Sequence, residues 1–226
     1  MTSHWGSRVG RLLAGYVVTW LAMVGVGLLL TKVFKDVTSA EAGIERSLAA
    51  HRNATLNEVT HAVTFSSETA TVITAVAVLA LLLRWWLGRW RESAFLVAAV
   101  AGEAAVFLAI TVFIDRPRPP VPHLDAAPPT SSFPSGHTGA AVALWGSLAV
   151  VAYRTGRRWL WRVLLIVAVV LPLAVGAARV YRGMHHPTDV LFGALNGLAC
   201  LAVAYHGVEA GRGDAPERPR RRHAVV

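Results

Sequence analysis

An all-α integral membrane bundle of six transmembrane helices, with an amphipathic extracytoplasmic segment, is the fold class this sequence predicts. Three observations carry the prediction. Of the 226 residues, 54% are hydrophobic and only 15% charged, and the mean hydropathy is +0.49, a balance foreign to soluble domains. Six apolar stretches occupy roughly residues 10–31, 67–86, 93–114, 137–153, 162–179 and 188–207, close to the about 20 residues that cross a bilayer core once polar flanks are counted. The basic residues between them segregate to alternate connections.

The first stretch, Leu12 to Leu30, is long enough to span and reads as a retained signal anchor. Arg8 and Arg11 precede it, Arg84, Arg89 and Arg91 follow the second, Arg154, Arg157, Arg158 and Arg162 follow the fourth, and Arg212, Arg218, Arg220, Arg221 and Arg222 end the chain. With six spans these segments share one side, and the positive-inside rule makes both termini cytoplasmic in a multi-pass cell-membrane protein. Trp85, Trp86, Trp90, Trp159 and Trp161 lie in the same segments, where indole rings favour the headgroup level.

The outward connections are then residues 32–66, 115–136 and 180–187. The first carries Ile44, Leu48, Leu56, Val59 and Val63 at roughly helical spacing, which predicts an amphipathic helix on the outer leaflet or over the bundle. Residues 1–207 form the six-span domain, and 208–226 read as a basic, disordered cytoplasmic tail. A net charge of +9 would suggest nucleic acid in a soluble chain. Here the arginines flank spans, so anionic lipid headgroups are the expected partners and nucleic acid is not. The lone cysteine, Cys200, offers neither a disulfide framework nor a cysteine metal cluster.

Chemistry concentrates in the second and third outward connections. They hold Asp115-Arg116-Pro117-Arg118-Pro119, then Pro134-Ser135-Gly136-His137, then Arg179 with His185 and Asp189. Polar groups so placed at one face of a membrane protein ask for a site. Arg116, Arg118 and Arg179 are permanently charged forks that suit paired phosphate oxygens. Pro134 is expected in the first turn of the fourth span, so that Ser135, Gly136 and His137 lie at a helix N-terminus that favours an anion. His185 and His137 are the candidates for attack at phosphorus and for proton donation. Asp189, four residues after His185, is placed to accept the proton-bearing ring nitrogen of His185, leaving the other nitrogen aimed outward. His186 points elsewhere as a bystander.

These residues resemble the type 2 phosphatidic acid phosphatase superfamily of membrane lipid phosphatases, whose active site is related to that of vanadium-dependent haloperoxidases. The family pattern has a lysine and then Arg-Pro, a Pro-Ser-Gly-His, and a Ser-Arg followed by His and Asp. Here Arg118-Pro119, the full Pro134-Ser135-Gly136-His137, and Arg179, His185 and Asp189 match, while Thr111 stands at the lysine position and Ala178 at the serine. The likeness covers roughly residues 66–207.

The resemblance implies that His185 is the nucleophile forming a phosphohistidine, Asp189 its orienting partner and His137 the general acid. Arg118, Arg179, Ser135 and Gly136 would cradle the phosphate, with no metal and no cofactor. Arg116 is the candidate substitute for the missing lysine. The implied activity is metal-independent hydrolysis of a lipid phosphate or diphosphate at the extracytoplasmic face. Isoprenoid carrier (undecaprenyl) diphosphate leads as substrate, followed by phosphatidic acid and phosphatidylglycerol phosphate. The alternatives are a lipid phosphotransferase that uses an acceptor other than water, and a catalytically weak lipid-binding or transfer protein.

Three further features read as structural. Glu103 lies near the middle of the third span, about 16 Å along the helix from Ile114 at 1.5 Å per residue and so out of reach of the site. Gly193 and Gly197 form a small-residue pair for helix packing. Asn53-Ala54-Thr55 matches a glycosylation acceptor only as a short motif.

Overall fold

The computed structural model describes residues 3–209; nearly all of the expected basic tail lies outside the described residues. Eight α-helices appear in that span: α1 (Ser3–Leu28), α2 (Lys35–Ala50), α3 (Ala54–Phe65), α4 (Thr69–Leu87), α5 (Arg91–Phe113), α6 (Gly136–Arg154), α7 (Arg158–Tyr181) and α8 (Pro187–Ala204). A π-helical turn, Leu29–Val33, prolongs α1, and another, Tyr205–Glu209, prolongs α8. The six long helices α1 and α4 to α8 correspond to the six apolar stretches, and the chain is a multi-pass membrane protein.

Five of the six are apolar and long enough to cross a membrane on composition alone; α6 is the exception. It packs against α4, α5, α7 and α8, and Thr138, Gly139, Ser147, Ala141, Ala143, Ala149 and Ala152 are buried there. A central helix touches protein instead of lipid and can carry small and polar residues that a peripheral helix cannot. At the periphery, Leu13, Val17, Ile73, Leu81, Ile166 and Leu173 face outward, as lipid-facing helices require.

Local chemistry sets the ends. Gly88 closes α4 at φ 69°, its amide returning to the Arg84 carbonyl at 3.0 Å. Asn53 caps α3, its side chain accepting the Leu56 amide at 2.9 Å. Pro187 opens α8, and the Asp189 carboxylate accepts the His186 amide at 2.9 Å. Within the bundle, α1 leans on α5 through the Tyr16 hydroxyl, which donates to the Ala98 carbonyl at 2.7 Å over the bare surface of Gly102.

The amphipathic segment is two helices, α2 and α3, broken at His51–Asn53 where the asparagine cap restarts the chain. Its more apolar side faces away from the bundle, as in a helix lying on the leaflet and not in one that covers the bundle. Ile44, Leu56 and Val59 are exposed, while Glu41 and Glu45 are buried. Apolar spacing located the helices, but their inward face is chosen by charged partners on the bundle.

Candidate functional site

The C-terminal ends of α5 and α7, the N-termini of α6 and α8, and the 114–135 connection meet around one polar cluster. α6 begins low. Gly136 packs beside the Phe107 ring of α5, and Gly193 of α8 lies against the Ser135 carbonyl. Phe107 is six residues from the end of α5, and Gly193 six from the start of α8. Both put the start of α6 about 9 Å below those helix ends at 1.5 Å per residue.

Pro134 is not the first residue of α6. It precedes the N-cap Ser135 and follows a cis Phe133–Pro134 bond, and the helix starts at Gly136. The first intrahelical bond runs from the Gly139 amide to the Ser135 carbonyl at 3.1 Å. The Ser135 hydroxyl is turned to Thr138 at 3.0 Å and makes no cap. The amides of Gly136, His137 and Thr138 therefore have no acceptor within the helix, the arrangement that favours a bound anion.

Around this terminus stand Arg118, His137, Arg179 and His185, which interact electrostatically with one another. Arg118 donates from Nη1 to the Met184 carbonyl at 2.7 Å, and Arg179 from Nη1 to Asp125 at 2.9 Å. The Nε groups of both are buried without an acceptor. Buried donors in this state cost free energy, and a phosphate oxygen is the acceptor to which a guanidinium edge donates best.

His185 is held differently from the expectation. Its Nδ1 lies 2.7 Å from the Ser132 carbonyl and 3.8 Å from Asp189. A carbonyl oxygen only accepts, so Nδ1 carries the proton and the Nε2 lone pair is available. Asp189 acts at ion-pair range, beyond hydrogen-bond reach. Burial lowers the His185 pKa, with Arg179 and Arg118 adding to the effect against Asp189. The ring is therefore neutral at neutral pH.

Arg116, expected among the phosphate ligands and as substitute for the lysine absent at Thr111, turns away from the cluster. Nη1 donates to Asp189 and to the Thr188 hydroxyl, and Nη2 to Glu41 at 2.9 Å. Two carboxylates take up its charge because it lies behind Asp189, on the α2 side. Thr111 bonds its own helix at the Leu108 carbonyl. His186 also turns away, as the sequence suggests, but not idly: its Nδ1 lies 2.6 Å from Glu45 and its Nε2 3.1 Å from the Pro117 carbonyl. Glu103 bonds Asn196 of α8 at 3.1 Å, a partner on a neighbouring helix. It abuts Gly139 in the first turn of α6; the site is itself recessed, so Glu103 lies about one turn beneath it.

Sequence reasoning did not single out Asp125, Ser132, Thr138, Glu41 or Glu45. A signal existed for two of them, since Glu41 and Glu45 are spaced by four on one helical face. Asp125 sits in a proline-rich connection and receives both Arg179 and Arg182, the latter from Nε at 2.9 Å. Burial alone would raise the Asp125 carboxyl, but the Arg182 hydrogen bonds and both arginine charges hold it below the ordinary carboxylate value. A depressed folded value stabilises above the unfolded value of about 3.9 and is lost as pH falls through the folded one. Asp125→Asn should therefore lower the thermal midpoint at pH 7, with the difference from wild type shrinking below about pH 4. Melting curves of both proteins across that range check the sign.

Known proteins point the same way. The model of the PAP2 superfamily matches residues 92–212. The chain is 26% identical over 171 residues to phosphatidylglycerophosphatase B of Bacillus subtilis, covering 72% of this chain and 80% of that one. It is 32% identical over 103 residues to an undecaprenyl-diphosphatase of Sulfolobus acidocaldarius, 46% of each. The crystal structure of a transmembrane PAP2-type phosphatidylglycerolphosphate phosphatase from Bacillus subtilis superposes with a TM-score of 0.75 at 22% identity, covering 89% of this chain and 98% of that one, a likeness of fold. With a family match over residues 92–212, more than half of the 226, the chain belongs to the PAP2 superfamily.

Proposed function

We propose that this protein is a membrane lipid phosphatase that hydrolyses a lipid phosphate or diphosphate through a phosphohistidine on His185. The observation that carries the reading is the neutral His185, whose Nδ1 proton is taken by Ser132 beside buried, unpartnered Nε groups of Arg118 and Arg179. The α6 amides, Arg118 and Arg179 receive the phosphoryl oxygens, with the buried Ser135 and Gly136 at the cradle's floor. His185 Nε2 attacks phosphorus in line, the bond to the leaving oxygen breaks, and His137, protonated once the anionic phosphate lies beside it, supplies that oxygen with a proton. Water then attacks the phosphohistidine and gives a proton back to His137; the N–P bond breaks and inorganic phosphate leaves. Asp189 stabilises positive charge that develops on the His185 ring. Positive charge comes from arginine, so turnover without a divalent metal is part of the proposal.

The arginine-rich ends of α4, α6 and the termini are assigned to the cytoplasm, which puts the cluster at the outer leaflet. The relatives support a phosphorylated lipid, with isoprenoid carrier diphosphate and phosphatidylglycerol phosphate as first candidates and phosphatidic acid after them. The test is phosphate release from detergent-purified protein with a chelator present, over those three lipids, with and without alcohol acceptors. Release on at least one lipid is the expected result. No release from folded protein would overturn the reading, and phosphoryl transfer only in the presence of an acceptor would replace hydrolysis by transfer.

A further inference from the structure

We infer that Glu41 is a positioning residue for the phosphoryl-transfer site: from α2 it shares the Arg116 guanidinium with Asp189, and so sets the carboxylate that faces His185. The inference rests on the reading of His185 as the nucleophile. Its geometry does not.

Glu41, Arg116 and Asp189 are 6%, 3% and 0% exposed. Glu41 accepts the Thr188 amide at 2.6 Å through Oε1, and the Arg116 Nη2 at 2.9 Å and the Thr188 hydroxyl at 3.2 Å through Oε2. Arg116 spends its other arm on Asp189 and on Thr188 Oγ1 at 2.8 Å. The remaining Asp189 oxygen accepts the His186 amide at 2.9 Å and lies 3.8 Å from His185 Nδ1. Three elements far apart in sequence thus fix one carboxylate from every side.

A helix docking for stability alone would bury its apolar side chains, since a buried ion pair seldom repays the desolvation of both ions. α2 does the opposite: Glu41 and Glu45 go inward while Ile44 is 53% exposed. A planar fork held between two carboxylates defines direction as well as charge. Glu41 takes part of the Arg116 charge, which otherwise falls wholly on Asp189 and weakens its pull on His185. The other groups facing His185 are Arg179 from α7, Arg118 from the 114–135 connection and His137 from α6. None of them touches Glu41 in the hydrogen-bond network described above.

The test compares Glu41→Gln, Arg116→Gln and the double variant, full-length and in detergent. Glu41→Gln should lower kcat about 10- to 100-fold, the range for groups that orient a reacting ligand, with KM within about threefold. If Glu41 acts through Arg116, the double variant is no slower than Arg116→Gln alone. In parallel, 15N-histidine NMR follows the His185 ring, assigned with His185→Gln. Without the Glu41 charge Arg116 falls wholly on Asp189 and weakens its pull on His185, so the His185 midpoint should move to lower pH by about half a unit, with no such move when Glu41 is changed in an Arg116→Gln background. Multiplied kinetic losses in the double variant, an effect on KM alone, or an unmoved His185 resonance would overturn the inference. A wild-type protein without turnover sinks the proposed function instead, and the NMR arm still decides the coupling. Should Glu41→Gln fail to fold, Arg116→Lys, which keeps the charge and loses the fork, should lower kcat over the same range with KM within about threefold, and an unchanged kcat would overturn the inference.

Discussion

His185→Ala should abolish turnover, by about 10⁴-fold or more, because it removes the nitrogen that the proposed mechanism assigns to attack on phosphorus. Ser132 fixes the proton on Nδ1 and burial keeps the ring neutral. The substitution removes the attacking atom and leaves Arg118, Arg179 and the α6 amides in place. The variant should therefore still bind a phosphate mimic such as vanadate within about threefold of wild type, as expected when a residue contributes to the transition state more than to binding. Rapid quench with radiolabelled lipid phosphate should trap an acid-labile phosphoprotein in wild type and none in the variant. Retained turnover in His185→Ala would remove the phosphohistidine from the mechanism. Lost turnover together with lost vanadate binding would mean that the ring builds the cradle instead of reacting.

The second large effect is mechanical. In Gly193→Ala the new methyl would run into the Ser135 carbonyl oxygen, with the Ser135 carbonyl carbon 3.1 Å away. Both obstacles are backbone, and the Ser135 amide is tied to the Asp189 carbonyl of the same α8 at 2.9 Å. No rotamer change relieves the clash, so α8 must slide or α6 must lift. Overpacking of this kind costs about 1–3 kcal/mol, and the displacement separates the anion-binding amides from Asp189 and His185. We expect a thermal midpoint lowered by several degrees in detergent and kcat reduced about 100-fold, since a misplacement of about 1 Å is enough for that. Gly25→Ala is the control: a methyl there meets nothing within 4 Å, and alanine in a helix interior is favoured over glycine by about 1 kcal/mol.

Much of this was legible in the linear chain, for identifiable reasons. Apolar run length located the six long helices, including α6, whose small and polar residues make it the least obvious. The Pro-Ser-Gly-His run, Arg118, Arg179 and His185 converge in space because they sit next to helix ends at one face, and helix ends can be read from spacing. Hydrogen-bond partners cannot. The Ser132 carbonyl reaches His185 only because the 114–135 connection folds back along α8, and a backbone oxygen leaves no trace in residue identity. Arg116 looked like a phosphate ligand because arginine before Arg-Pro invites that reading. Its direction is set by Glu41, 75 residues earlier, on a segment whose periodicity revealed a helix but not which face turns inward. Asp125 and the two arginines it joins are 54 and 57 residues apart, a pairing that only tertiary structure makes.

The low start of α6 has a consequence of its own. A phosphate that must reach amides about 9 Å below the outer helix ends leaves bulk water behind and hangs, in effect, on a leash. For a lipid the leash is its own tail, anchored in the same leaflet as the site, so descent trades headgroup hydration for arginine and histidine contacts without releasing the molecule. A free phosphate ester has no such anchor and meets the full desolvation cost alone. For such a tethered substrate, the depth of the α6 N-terminus selects by anchorage as well as by contact.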